Sequence, residues 1–284
     1  DTTLTPKHGG AVAQRQTLIS GNAVMEAAKR FRTELLHAAA TVLAAPAEEL
    51  EIFTDGVVHL RTESRLSWEE LERKLRERGE EVAAEFIYVA PKTLALADVE
   101  GRNSVPPEEY RNYPAYAYTT QVAAVEVDPN TGDVRLIKVL AAHDVGRAIN
   151  PQKIEGQIEG SCHMAQGYAL SEEYPVEQGL PKARTYRDLH VPTIMDAPPI
   201  RTLIVEKPDS TGPLGAKGIS EVATVPLTPA ILNAIFDAVG VRIHSLPATP
   251  ARIKAALEQS ALAETHSARA QADQARTECP NRSM

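Results

Sequence analysis

Apolar residues recur at helical spacing over 23–43 among strong helix formers, with Ser20 placed as an N-cap and Ala45-Pro46 as the stop. The period then switches to two. Residues 51–54 and 57–60 flank Asp55-Gly56, a two-residue hairpin signal. Ser67-Trp68-Glu69-Glu70 reads as a capping box opening a highly charged helix that Gly79 ends. Residues 80–118 mix short strand-like runs with Pro106-Pro107 and a tyrosine-rich patch from Tyr110 to Tyr118. Alternation returns over 121–127 and 134–141 around an Asp-Pro-Asn-Thr-Gly-Asp turn, a second hairpin. Asn150-Pro151 opens a helix running to about Glu172, because proline suits the first helical position. A short strand over 202–205 and helices over 226–239 and 250–262 follow. The polar stretch 264–284 is expected to be a frayed helix or disordered tail.

Short hairpins interleaved with helices predict an α+β fold. The boundaries expected are a first subdomain over 1–107, a second over 108–262 and a tail over 263–284. A chain of 284 residues with 43% hydrophobic and 24% charged residues can bury a sizeable core. The net charge of −8 makes nucleic acid and anionic membrane poor partners. No unbroken run approaches 18 apolar residues, so no membrane span is expected. Cys162 and Cys279 form neither a disulfide framework nor a metal-ligand spacing, which suits a reducing, cytoplasmic setting. The start at Asp1 reads like the middle of a domain, as in a processed chain or one cut from something longer.

Candidate chemistry gathers around Gly212-Pro213-Leu214-Gly215-Ala216-Lys217-Gly218-Ile219-Ser220-Glu221. Three glycines in seven residues allow close backbone approach. The lone carboxylate Glu221, backed by apolar sequence, is where a general base with a raised pKa is built; an exposed loop acid is the plain alternative. Residues 4–17 combine small residues with Arg15 and Gln16, suited to a loop around a polar ligand such as a phosphate or to an ordinary surface loop. The helix after Pro151 carries Gly156, Gly160 and Gly167, each unfavourable by up to about 1 kcal/mol, so something must approach it closely: a neighbouring helix or a large cofactor. His163 has no second ligand at i+3 or i+4 and reads as a packed histidine, with no metal site. The tyrosine patch suits an interface or core better than a substrate funnel.

Three stretches in order, GGAVAQRQTLISGNAV from Gly9, AAHDVGRAINPQKIEGQIEG from Ala141 and TGPLGAKGISE from Thr211, resemble the C-terminal half of the molybdenum-binding subunit of the molybdenum hydroxylases, the xanthine dehydrogenase and aldehyde oxidase family. The resemblance runs from the first residue to about Leu257, and within the family the chain resembles the medium subunit of nicotinate-dehydrogenase-like split enzymes. It implies that Glu221 is the general base in hydroxylation of an electron-poor carbon of a nicotinate- or purine-like ring, with oxygen from water. It implies that Ala13 lies beside the metal ligands, Arg15 and Gln16 near the dinucleotide phosphates, and Gln157 close to the pterin, with Lys217 in the catalytic loop. The implied cofactor is molybdopterin with molybdenum, as the cytosine dinucleotide, with [2Fe–2S] and FAD on partner chains. The implied partners are a large molybdopterin subunit that completes the site, an iron–sulfur subunit and an FAD subunit.

The sequence departs from the family pattern in places. Ser220 and Val222 stand where many members have glycine and proline, and SCHMAQGYALSEE from Ser161 looks more like multi-subunit bacterial enzymes acting on N-heterocycles. The family's other Gly-rich loop, its substrate-facing Arg and Phe, a four-cysteine cluster pattern and a flavin region are not in this sequence. An aldehyde- or carbon monoxide-oxidising relative and a non-catalytic scaffold paralogue are the competing readings.

Overall fold

The computed structural model describes residues 3, 5, 6, 9–95, 103, 104, 106 and 111–277, with side chains as far as residue 263. The boundary expected at Pro107, the patch residue Tyr110 and Cys279 lie outside the described residues. The chain forms two compact units: Asp1–Ala115 with Ser210–Gly215, and Tyr116–Asp209 with Ala216–Met284. The Gly-rich loop is thus shared, its first half belonging to the first unit and its second half to the second.

In the first unit, α1 (Gln16–Leu43) is followed by a three-stranded antiparallel sheet of β1 (Leu50–Phe53), β2 (Gly56–His59) and β3 (Arg65–Ser67), then α2 (Trp68–Glu77). Helix α1 begins seven residues before the expected Ala23, since Thr17, Ile19 and Ser20 join it despite their modest propensity. A left-handed Ala44 (φ 51°) ends it. Asp55-Gly56 makes the β1–β2 turn, and a Cβ on Gly56 would lie 2.2 Å from the Leu66 carbonyl oxygen, so the third strand demands glycine there. Ser67 Oγ accepts from the Glu70 amide at 3.2 Å. At the other end of α2, Gly79 (φ 67°) donates to the Arg76 carbonyl and Glu80 to the Leu75 carbonyl, a Schellman closure. Leu36, Ala39, Leu50, Val57, Leu66, Leu71 and Leu75 form the core of this unit. The segment 210–215 belongs to the same unit: Asn22, buried on α1, donates to the Thr211 carbonyl at 2.8 Å, and a Cβ on Gly21 would come within 2.7 Å of Pro213. The strand-like runs expected over 80–118 do not become strands among the described residues, and 80–95 takes part in no sheet.

The second unit is built on a sheet of order β4-β5-β8, from β4 (Thr119–Val127), β5 (Val134–Asp144) and β8 (Ile200–Val205). Strands β4 and β5 are the expected antiparallel hairpin, while β5 and β8 run parallel. The long connection between that parallel pair holds α3 (Pro151–Leu170) and a small hairpin of β6 (Val176–Glu177) and β7 (Leu180–Pro181). Helices α4 (Leu227–Val239) and α5 (Pro250–Thr277) complete the unit. Helix α5 runs on to Thr277, into the stretch expected to be a frayed helix or disordered tail, where Ala, Gln and Arg are strong helix formers. The core joins Val139 and Ala141 of β5 to Ile158, Cys162 and Ala165 of α3 and to Leu227, Ile231 and Ile235 of α4.

The chain holds no unbroken run of 18 apolar residues, yet one segment reaches the length and average apolarity of a membrane span. That segment is Glu221–Val239, long and apolar enough by length and composition alone. Its apolarity serves the core, because Leu227, Ile231 and Ile235 are fully buried against the rest of the second unit.

Candidate active site

The second half of the Gly-rich loop is fastened to the end of β5. Ala216 bridges Gly146, and the Lys217 amide donates to the Val145 carbonyl at 2.9 Å. The Lys217 ammonium pairs with Asp144 Oδ2 at 2.5 Å, and both side chains are less than a tenth exposed. The other Asp144 oxygen accepts from the Gly146 amide at 3.0 Å, so this carboxylate ties the strand end and the loop together. Truncating one partner of such a buried pair is strongly unfavourable, because the other charge is left without compensation. The Tyr118 ring centroid lies 5.9 Å from the ammonium.

Four residues further on, the chain makes a single 3-10 turn, Glu221–Ala223, with Ser220 leading in at φ −116°, ψ −84°. Glu221 is exposed and accepts a short hydrogen bond from the Ser220 hydroxyl. The apolar enclosure expected around it is therefore not provided by the described residues of this chain. The turn itself is held from below. The Ser220 carbonyl accepts from Ser161 Oγ at 3.1 Å and from Gln157 Nε2 at 3.2 Å, both on α3. The Ala223 carbonyl accepts from Gln121 Nε2 on β4 at 2.8 Å.

Beneath the turn lies a buried polar cluster. His143 Nε2 is 3.0 Å from Gln121 Nε2 and 3.2 Å from Thr119 Oγ1. Burial pushes the imidazole down to about 4, so the ring is neutral at ordinary pH. Burial, with the nearby charge of Glu159 adding to it, pushes the Cys162 thiol up to about 12, which makes it an inert core residue. His163 packs as expected, with Nε2 3.3 Å from the Pro192 carbonyl oxygen. Among the described residues no group of three or more His, Cys, Asp or Glu side chains is placed to hold a metal ion.

The N-terminal half of α3 presents a different surface. Asn150 caps it, its Oδ1 accepting from the Lys153 amide at 3.0 Å, with Pro151 at the first helical position. A Cβ added to Gly156 or Gly160 would meet nothing within 4 Å, and Gln157 between them is exposed. No neighbouring helix among the described residues fills the space that these glycines leave.

In the first unit, Ala13 (φ 48°) and Gln14 (φ 50°) are two successive left-handed residues that turn the chain into α1. Alanine and glutamine are rarely found in that conformation, and such strain gathers at ligand clamps. Arg15 sits at the N-cap position of α1 with its side chain exposed, and Gln16 Oε1 accepts from Ser20 Oγ at 2.5 Å. The positive end of a 28-residue helix beside a guanidinium suits a phosphate.

Of the six residues singled out from the sequence, Ala13, Arg15 and Gln16 thus lie together at the turn into α1 in the first unit. Gln157, Lys217 and Glu221 share the second, where Gln157 reaches the Glu221 turn directly and Lys217 gives its charge to Asp144. Sequence reasoning missed Asp144, Gln121, His143 and Ser161. The available signal was polar residues in the inward phase of alternating strands: Gln121 and His143 occupy positions where an apolar side chain is expected.

Residues 1–198 match the family model of the molybdopterin cofactor-binding domain. The chain belongs to that family. It is 32% identical over 252 residues to a probable hypoxanthine oxidase of Escherichia coli, covering 88% of this chain and 24% of that protein. It is 31% identical over 262 residues to a probable subunit of xanthine dehydrogenase from Bacillus subtilis, covering 92% and 33%. Among solved structures, the quinoline 2-oxidoreductase of Pseudomonas putida superposes with a TM-score of 0.70 at 26% identity, over 90% of this chain and 32% of that one. A copper- and molybdenum-containing carbon monoxide dehydrogenase, with a TM-score of 0.71 at 23% identity over 91% and 31%, shows the fold alone. The chain therefore spans between a quarter and a third of the length of these relatives.

Two features of the structure fit the group for which the family is named. The face of α3 cleared by Gly156 and Gly160 has room for a flat, bulky ring system beside the Gln157 amide. Arg15 with the α1 N-terminus offers the donor set that phosphates need.

Proposed function

We propose that this chain is the base-bearing part of a molybdenum hydroxylase that oxidatively hydroxylates an electron-poor carbon of an N-heteroaromatic, nicotinate- or purine-like, with oxygen derived from water. The observation that carries the reading is Glu221: a lone exposed carboxylate ending a Gly-rich loop, on a turn whose flanking carbonyls are tied down by three side chains from α3 and β4. The names of relatives support the ring class, since they include proteins named for hypoxanthine, xanthine and nicotinate, and a solved one named for quinoline.

Bound molybdopterin would supply the two-electron oxidation in this reading, accepting the hydrogen and the electron pair of the ring C–H bond that the new C–O bond replaces. The chain's own residues hold it and move the proton. Arg15, helped by the positive end of α1, binds the dinucleotide phosphates of a cytosine form, with Gln16 and the Ala13 backbone beside it. The glycine-cleared face of α3 receives the pterin next to Gln157. Glu221 takes up the proton that water-derived oxygen loses as it is delivered to the ring carbon. The Ser220 hydroxyl, bonded to one carboxylate oxygen, fixes how that carboxylate is turned. Lys217, spent on Asp144, anchors the loop and carries no proton in the reaction. The enclosure that Glu221 lacks here comes from a large molybdopterin subunit, and electrons leave through iron–sulfur and FAD subunits carrying [2Fe–2S] and FAD.

The test is made on the complex co-purified with its partner chains. Molybdenum and pterin are assayed, and turnover of nicotinate, hypoxanthine and an aldehyde is measured for the native complex and Glu221→Gln. The expected result is a metal-loaded variant with heterocycle turnover lower by several orders of magnitude. A loaded variant as active as the native complex would remove Glu221 as the base, and faster turnover of the aldehyde than of either heterocycle would remove the substrate class.

A further inference from the structure

We propose that Gln121 and Ser161 are positioning residues for Glu221, fixing the base through the two main-chain carbonyls that bracket its turn. The proposal rests on the reading of Glu221 as the base.

The turn has little to hold it by itself. It is three residues of 3-10 helix without a side-chain cap, entered through a backbone conformation outside the usual regions at Ser220. A 3-10 turn of that length has poor hydrogen-bond geometry and does not define where a side chain points. Its fixed points are external. Ser161 Oγ, on a side chain 5% exposed, bonds the carbonyl immediately before Glu221, and Gln157 bonds the same oxygen from the solvent side. Gln121, 8% exposed, bonds the carbonyl two residues after it. One clamp comes from a helix and the other from a strand, so the turn can neither slide along α3 nor lift from the sheet.

Gln121 is itself held. Its amide nitrogen carries two protons. One goes to the Ala223 carbonyl, and the same nitrogen lies 3.0 Å from His143 Nε2. His143 is 1% exposed and lies on β5, whose next residue is Asp144, the partner of Lys217. The Glu221 turn and the loop before it are therefore anchored to adjacent residues of one strand.

The cluster is not what core packing alone would select. Gln121 occupies the inward phase of β4, shared with Thr119, Ala123, Val125 and Val127, and valine there would bury more apolar surface without a polar group to satisfy. Helix α4 already has Leu227, Ile231 and Ile235 to seat it. What the amide adds is a fixed position for the carbonyl just beyond Glu221. A base displaced by about 1 Å loses on the order of a hundredfold in rate.

The experiment uses the assembled, molybdenum-loaded complex with Gln121→Met, Ser161→Ala and Glu221→Gln. Both positioning variants should lower kcat by about 10- to 100-fold, with KM and molybdenum content close to native. They should also displace the acid limb of the pH profile of kcat/KM, which a change in stability alone does not move. If Glu221→Gln abolishes turnover while Gln121→Met and Ser161→Ala keep native kcat and pH profile, the positioning role is wrong and the base is right. If Glu221→Gln turns over like the native complex, the base reading fails and the positioning role fails with it. Should Gln121→Met not assemble, Ser161→Ala decides by the same measurements, since it removes one oxygen and leaves the packing. A fall in kcat matched by loss of molybdenum would assign the pair to cofactor retention and overturn the proposal.

Discussion

Helix α3 has two faces of opposite character. The inner face carries Ile154, Ile158, Cys162, Ala165 and Ala169, all less than a tenth exposed and packed between the sheet and α4. The outer face carries Gly156, Gln157, Gly160 and Met164, with Met164 half exposed and open space over both glycines. Glycine occurs on both sides, for opposite reasons. A Cβ at Gly167 would lie 2.2 Å from Glu172 Oε1 and 2.9 Å from Pro192 Cδ, so that glycine makes room for the chain's own atoms. At Gly156 and Gly160 the chain has nothing of its own to accommodate. Counting glycines in a helix cannot separate the two cases; knowing what lies against each absent Cβ does.

The inner face should give the largest effect. Ile158 is fully buried at the centre of the second unit's core. Ile158→Ala should lower stability by about 2–5 kcal/mol, through lost transfer energy and the cavity left behind. Chemical denaturation measures this directly. A loss under about 1 kcal/mol would mean that this face is looser than its burial indicates.

An effect of similar or smaller size comes from pH. The fold holds His143 neutral down to about 4, whereas the unfolded chain takes up the proton near 6.5. Between those values the unfolded state binds more protons, so stability rises with pH. The contribution is fully present above about pH 6.5 and is lost as pH falls toward 4, to a total of about 3 kcal/mol. Equilibrium unfolding across that window, compared with His143→Gln, isolates it from the carboxylates. Equal slopes for the two proteins would show that His143 does not titrate on unfolding.

Much of this architecture is legible in sequence because its signals are local. Asp55-Gly56 and the turn over 128–133 announce both hairpins, Asn150-Pro151 announces α3, and three glycines announce the loop before Glu221. The misses are non-local. Strands β3 and β7 are three and two residues long and exist only because a neighbour pairs with them. The parallel pairing of β5 with β8 joins segments far apart in sequence, which periodicity cannot register. The same holds within the site. Glu221 stands out by its neighbours along the chain, but Gln121 meets the Ala223 carbonyl 102 residues away. Lys217 stands out by its place in the loop, and only the fold reveals Asp144 across from it, 73 residues earlier in the chain.

The smallest effect is the most discriminating for the outer face. Gly156→Ala and Gly160→Ala each place a methyl group in open space, so no atom of the chain must move. Alanine is the better helix former, and each change should raise the stability of the chain by about 0.5–1 kcal/mol. If the space is reserved for a pterin, the same methyl groups intrude on the ligand, and the complex should retain less molybdenum and pterin while the chain itself is more stable. Opposed signs in the two measurements are the mark of glycines kept for a ligand, since a purely structural glycine loses stability on substitution and an idle one leaves cofactor content unchanged. A rise in stability with full cofactor content would show that this face meets no pterin. The space over α3 would then belong to a partner chain, leaving Arg15 and the α1 N-terminus as the remaining contact proposed for the cofactor.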